Sequence, residues 1–162
     1  MTTTAGHYKA PHGADAVVNR MIRWLADRGV NLAGAQTLTV VGRRSGNPQR
    51  VPVNVLRFDG GEYLVAVRGE THWVRNARAA GTVELRRGRR RVDVALTEVD
   101  PARRTPIIRE YLRRWGWEVG RFLPEGLDPK SSDAELAARA GLIPVFAVTP
   151  AHRTPGRRTP AH

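Results

Sequence analysis

The chain has no cysteine among its 162 residues. Disulfides, thiolate nucleophiles and cysteine zinc sites are excluded together, and the redox compartment is left open. Lysine is nearly absent: of 27 Lys and Arg residues only Lys9 and Lys130 are lysines. Acids are few, 15 in all, so the formal net charge is +12. No apolar run approaches the ~20 residues needed to cross a bilayer. The polar stretch Met1–Ala14 has no apolar signal-peptide core, and a cytoplasmic location is expected. Familiar catalytic motifs are missing too. There is no G-x-S-x-G elbow, no H-E-x-x-H pair and no Walker loop. His7, His12, His152 and His162 fall in the terminal segments, leaving His72. These absences argue against a triad enzyme or a metal hydrolase, and no metal site is expected.

What remains is a chain long enough for one domain, 41% hydrophobic and rich in arginine. Arginine offers a planar fork of donors suited to phosphate and carboxylate, where lysine offers a point charge. A compositional preference for arginine would explain much of the excess without any function. Its distribution is more informative. Gly42 to Arg91 holds twelve arginines against Asp59, Glu62, Glu70 and Glu84. Such a field attracts an anion: nucleic acid, an acidic lipid surface or a polyanionic coenzyme.

Hydrophobic spacing orders the elements. Residues 1–13 have no periodicity and are expected to be disordered, as is the Pro/Arg tail 150–162, which leaves 14–149 as the folded domain. Val17, Val18, Met21, Ile22, Trp24 and Leu25 recur at helical spacing between Ala14 and Gly29. Strands are expected at Thr37–Val41, Arg50–Phe58 and Tyr63–Val67, the last two joined through Asp59-Gly60-Gly61. A short helix covers His72–Ala80 and stops at Gly81. A second hairpin, 81–87 with 90–99, turns at Gly88-Arg89. Asp100-Pro101 reads as a cap opening a helix to about Trp115, disturbed at Pro106. Ser132 caps a short helix to Ala140, and Leu142–Thr149 is the closing strand. The result is α+β: a mostly antiparallel, barrel-like sheet of about six strands with an N-terminal helix and flanking helices.

Four segments could carry chemistry, each beside a plainer reading. Gly42-Arg43-Arg44-Ser45-Gly46 can form a backbone anion nest with charged donors, or simply be a solvated loop. Trp73 and Asn76, three apart on a helix, can pack against and hydrogen-bond a flat heteroaromatic ring, or sit in the core. Arg86–Arg91 is a basic hairpin tip that could touch phosphates, or a solvated turn. Tyr111, Trp115 and Trp117 can line a pocket mouth, or pack internally.

Together these segments resemble the coenzyme F420 (8-hydroxy-5-deazaflavin)-dependent nitroreductase family, actinobacterial oxidoreductases of the split β-barrel superfamily. Three stretches carry the likeness. Thr37–Pro48 is similar to its strand followed by a G-R-[KR]-S-G-x-P loop, Trp73–Gly81 to its W-x-x-N-x-x-A segment, and Gly141–Val148 to its closing strand. The likeness spans roughly Ala14 to Thr149. It implies that Arg43, Arg44, Ser45 and Gly46 meet the phosphate and oligoglutamate tail, with Gln49 and Arg50 beside them. Gln49 stands where the family often has arginine, and Arg50 is placed to substitute. Pro52 would border the ring; Ala66, Val67 and Arg68 would approach ring and ribityl chain; Trp73 and Asn76 would close the site. Asn54, Tyr111 and Trp115 would face the substrate, with Tyr111 the candidate proton donor. Asn54 and Val67 depart from the tyrosine and serine of some nitroreductases, which sets nitroimidazole chemistry further off than coenzyme binding.

The implied activity is hydride transfer from the reduced deazaflavin to a small electron-poor acceptor: a quinone, activated alkene or nitro compound. Alternatives are a split-barrel oxidoreductase using FMN, a carrier that holds the coenzyme without turnover, and a basic nucleic-acid-binding module. The last is disfavoured because no aromatics interleave with the basic run. The resemblance leaves open monomer or homodimer and a peripheral association with the membrane.

Overall fold

The structure is a computed structural model in which residues 36–151 are described. The helix expected over Ala14–Gly29, residues 1–13 and nearly all of the tail lie outside the described residues. The described residues lay down seven strands, β1 (Gln36–Val41), β2 (Pro48–Val53), β3 (Leu56–Phe58), β4 (Gly61–Val65), β5 (Thr82–Arg87), β6 (Arg90–Glu98) and β7 (Val145–Pro150). Among the described residues three α-helices accompany them, α1 (His72–Ala80), α2 (Thr105–Val119) and α3 (Asp133–Arg139). All strands belong to one sheet of order β2-β1-β5-β6-β7-β4-β3, antiparallel throughout.

The strand expected over Arg50–Phe58 is two strands. Val53 pairs with Gln36 on one edge, whereas Leu56 pairs with Tyr63 on the other. Only Asn54 and Val55 lie between them. Three Cα steps reach at most about 11 Å, so the two edges are neighbours and the sheet curls nearly shut. An ion pair spans the curl as well: Arg87 on β5 meets Glu62 on β4 at 2.6 Å, although β6 and β7 separate their strands. The architecture is the split barrel, α+β, with seven strands rather than about six.

Alternation along the strands sends one set of apolar residues inward and the other outward. Leu38, Val40, Leu64, Val83, Leu85, Val94, Leu96, Phe146 and Val148 form the inner core, which Val74 and Ala77 of α1 complete. The outer set on the other half of the sheet, including Leu56, Val65 and Val145, is covered by Ile107, Ile108, Tyr111 and Leu112 of α2 and Leu136 of α3. No helix among the described residues is long and apolar enough to cross a membrane.

The helix ends follow local chemistry. Gly81, at φ +69°, ends α1 in a conformation that a Cβ would strain. Asp100 does cap, but it caps a 3-10 turn, Pro101–Arg103, by accepting from the Ala102 amide at 2.9 Å. The helix then starts at Thr105. Pro106 therefore sits in the first turn, where its missing N–H costs nothing, and does not disturb the helix. It runs on to Val119, past Trp115. Ser132 and Glu135 make a reciprocal capping box on α3. The last strand begins at Val145 because Leu142 belongs to a 3-10 turn and Pro144 has no N–H to enter the ladder.

Two charged residues are buried on or beside α2, with opposite consequences. Arg104, 4% exposed, donates from Nε to the Val99 carbonyl (2.8 Å) and from Nη1 to those of Ala140 (3.0 Å) and Ile143 (3.2 Å). Its Nη2 reaches Glu98 at 3.1 Å, and Glu98 also receives Arg78 of α1 at 2.7 Å. The Arg78 hydrogen bond, above all, holds the Glu98 carboxyl below the usual range. Glu118, 9% exposed, has no hydrogen-bond partner among the described residues, and burial pushes its carboxyl upward.

Removing the guanidinium in Arg104→Ala takes a buried donor from three carbonyls and from Glu98, and should cost about 3–5 kcal/mol in urea denaturation. Glu118→Gln should act the other way. A carboxyl whose pKa is raised by folding weakens the fold once ionised, and has no such effect below its unfolded value of 4.5. The variant is expected to be more stable than the parent at neutral pH, with the gap closing as pH falls toward 4.5. A pH-independent gap in urea midpoints would contradict this.

Candidate functional site

The turn between β1 and β2 is closed by its own backbone. The Gly42 amide donates to the Asn47 carbonyl (2.8 Å), the Gly46 amide to the Gly42 carbonyl (2.9 Å), and the Asn47 amide to Ser45 Oγ (3.2 Å). Glycine is required at both ends of the arginine pair. A Cβ on Gly42 would stand 2.5 Å from Ser45 Oγ and 3.3 Å from the Asn47 carbonyl, and Gly46 sits at φ +69°. Among the described residues, the amides of Arg44 and Ser45 donate to no protein group. The Arg44 side chain has no partner among the described residues either. The loop thus presents unspent backbone donors beside cationic side chains, the composition of an anion nest.

Behind the loop, Asn76 of α1 is 2% exposed. Its Oδ1 accepts from the Arg43 amide (3.1 Å) and from Arg43 Nη1 (2.9 Å), while its Nδ2 donates to Gln49 Oε1 (2.9 Å). Gln49 therefore points to the same side as the inner core. Arg50 and Pro52 share the other side of β2, opposite Thr39 and Thr37 of β1. Trp73, half-buried, packs against the inner core with its ring 5.9 Å from Phe146.

The link from β4 to α1 lies at the same end of the sheet, since Val65 pairs with Val145 there. Ala66 and Val67 are buried, 4% and 6% exposed, and the Ala66 amide donates to the Pro144 carbonyl at 2.8 Å. Arg68 is exposed, its guanidinium 4.4 Å from the centre of the Phe122 ring just beyond α2.

A second group forms where the chain crosses the split. Tyr111, 5% exposed, packs its ring 4.9 Å from that of Trp115. Burial pushes the phenol up to about 12, the nearby polar side chain of Asn54 opposes that rise, and the charge of Glu118 adds to it. Asn54, Tyr111 and Trp115, far apart in sequence, are thus brought together. Glu118 joins them unforeseen. Its spacing of seven from Tyr111 puts both on one helical face, a signal that appears only once the helix is continued past Trp115. Trp117 points away, 69% exposed.

The structure separates what the sequence left as one basic field. The β5–β6 tip pairs with the start of β1, so Arg86–Arg91 lies at the end of the sheet opposite the Gly42–Gly46 loop. The length of β1, roughly 17 Å at strand rise, stands between them. Arg87 is taken by Glu62, Arg91 faces Glu84 at 3.9 Å, and Arg86 Nε donates to the Gly88 carbonyl. The tip and the loop are not one anion groove.

No curated protein matches the chain. Solved structures with a similar backbone include an F420-H2 dependent reductase, FDR-A (TM-score 0.48, 20% identity, 72% of this chain and 94% of that one). Another is described as a domain-swapped dimer (TM-score 0.48, 20% identity, 83% and 98%). A third is an FAD-binding protein from Mesorhizobium loti (TM-score 0.46, 12% identity, 82% and 88%). The family described as F420H(2)-dependent quinone reductase matches residues 16–116, more than half of the sequence. The chain belongs to that family and is an oxidoreductase whose family name carries dependence on the reduced deazaflavin.

Proposed function

We propose that the chain holds the reduced deazaflavin by its anionic tail at Gly42–Asn47 and presents the ring to a quinone or a similar electron-poor acceptor near Tyr111. The observation that carries this reading is the loop itself: unspent amides at Arg44 and Ser45, flanked by Arg43 and Arg44, with a glycine where a side chain would displace Ser45. Its donors suit a phosphate better than a neutral ligand. The layout along β2 supports an elongated ligand. The anion loop precedes the strand, Arg50 and Pro52 line its outer side, and Asn54 with Tyr111 stands just past its end.

When bound, the coenzyme supplies a hydride from C5 of its ring, and the acceptor takes up that hydride and one proton. The protein contributes position and polarity. Arg43, Arg44 and Ser45 neutralise and hydrogen-bond the tail. Tyr111, with its phenol near 12, keeps its proton across neutral pH and donates a hydrogen bond toward an acceptor oxygen as negative charge grows there. Asn54 orients that hydroxyl, and Trp115 supplies an apolar wall beside it. The proton is then completed through Tyr111 or from solvent. Activated alkenes and nitro compounds suit the same chemistry.

Arg43→Ala combined with Arg44→Ala should weaken coenzyme binding more than about a hundredfold, since each charge-assisted hydrogen bond is worth ~1.5–3 kcal/mol. A fluorescence titration, run in parallel with FMN, measures this; unchanged affinity would sink the tail assignment. Tyr111→Phe is expected to leave coenzyme affinity alone and to slow quinone reduction by about tenfold or more. The parent's rate profile should show no Tyr111 ionisation between about pH 6 and 9, because the raised phenol stays protonated there. Full activity in Tyr111→Phe would remove it from the mechanism.

A further inference from the structure

The carboxamide of Asn76 has little left to offer a ligand. Both lone pairs of its oxygen are occupied by donors of a single residue, the amide and Nη1 of Arg43. One of its two amino hydrogens goes to Gln49 Oε1, and only 2% of the residue is exposed. Its orientation is also forced. Turning the amide over would set its amino group against two Arg43 donors and its oxygen against the acceptor of Gln49. Gln49 completes the clasp from the other side: its Nε2 lies 3.3 Å from where a Cβ of Gly42 would stand, against the base of the loop.

We propose that Asn76 is a positioning residue, which fixes Arg43 and with it the Gly42–Asn47 loop in anion-receiving form and does not itself contact the coenzyme ring. The proposal rests on the reading of that loop as the tail site. By binding Arg43 through main chain and side chain together, Asn76 sets both the backbone entry to the turn and the direction of the guanidinium. The neutrality of the amide matters equally. A carboxylate at the same place would grip Arg43 as well, but it would cancel the charge the loop needs. An amide holds the cation without neutralising it. Gln49 extends the same logic, because an arginine there would add charge yet give the Asn76 amino group no acceptor.

The test is a titration of two ligands, the phosphorylated coenzyme and the deazaflavin riboside that lacks phosphate and tail, against the parent, Asn76→Ala, Asn76→Asp, Gln49→Ala and Arg44→Ala. Asn76→Ala is expected to weaken the phosphorylated coenzyme about tenfold or more while holding riboside affinity within about twofold. KM for the coenzyme should rise with kcat at saturation unchanged. Asn76→Asp should weaken the coenzyme too, with a flatter dependence on salt, because the charge of Arg43 is then cancelled. Equal losses for both ligands would place Asn76 on the ring and overturn the proposal. No loss in Asn76→Ala, with Arg44→Ala still weakening the coenzyme, would overturn it while leaving the tail site standing. No loss in Arg44→Ala would remove the tail site and the proposal with it. Should Asn76→Ala fail to melt cooperatively, Gln49→Ala carries the same two-ligand comparison, with a selective coenzyme loss expected and an equal or absent loss overturning.

Discussion

Between Val53 and Leu56 the chain passes from one edge of a seven-stranded sheet to the other in three Cα steps. That short bridge obliges the sheet to curl until its edges meet, and most of the remaining architecture answers to it. A curled sheet has an inside, which its own strands cannot fill at the open end, and α1 supplies Val74 and Ala77 there. It also has an outside. Half of that face is apolar and is covered by α2 and α3. Edge strands that would otherwise invite another chain are brought beside one another instead.

The curl also sorts the arginines. Arg78, Arg87 and Arg104 are held by carboxylates or carbonyls and act as ties between elements. Arg78 and Arg104 meet on Glu98, so that helix α1, which backs the loop, is linked through one carboxylate to the start of α2. The loop arginines are treated differently. Arg44 has no partner among the described residues, and Arg43 is gripped by a neutral amide. Positive charge is consumed where the fold needs ties and left unspent where an anion can be received.

Much of this was legible in the residues. Alternation located β1, β4, β5 and β6, glycine and proline punctuation located the turns, and Ser132 announced a helix start that the structure bears out. The errors have physical causes. Arg50–Phe58 alternates at Val51, Val53 and Val55 and shifts phase at Val55-Leu56, but alternation is blind to which neighbour a strand pairs with, so the change of edge at Asn54-Val55 could not be read from it. Pro106 read as a disturbance because the 3-10 turn at Pro101–Arg103 moved the helix start to just before it. In the candidate site, the glycine–arginine loop and Trp73 with Asn76 could be picked out by residue type, while the bond joining Asn76 to Arg43 spans 33 positions and could not.

The sequence by itself determined the periods, the turns, the charge and the family likeness, because each of these is local or additive along the chain. It therefore settled an antiparallel α+β fold and pointed to a loop suited to an anion. Only the tertiary structure decided which basic segments belong together. Loop 42–46 and tip 86–91 have the same chemistry in one dimension, and the pairing of β1 with β5 sets them at opposite ends of the sheet. It also decided that the buried face of α1 turns Asn76 toward Arg43 and Gln49, since a carboxamide's partners are fixed by distance and direction in space.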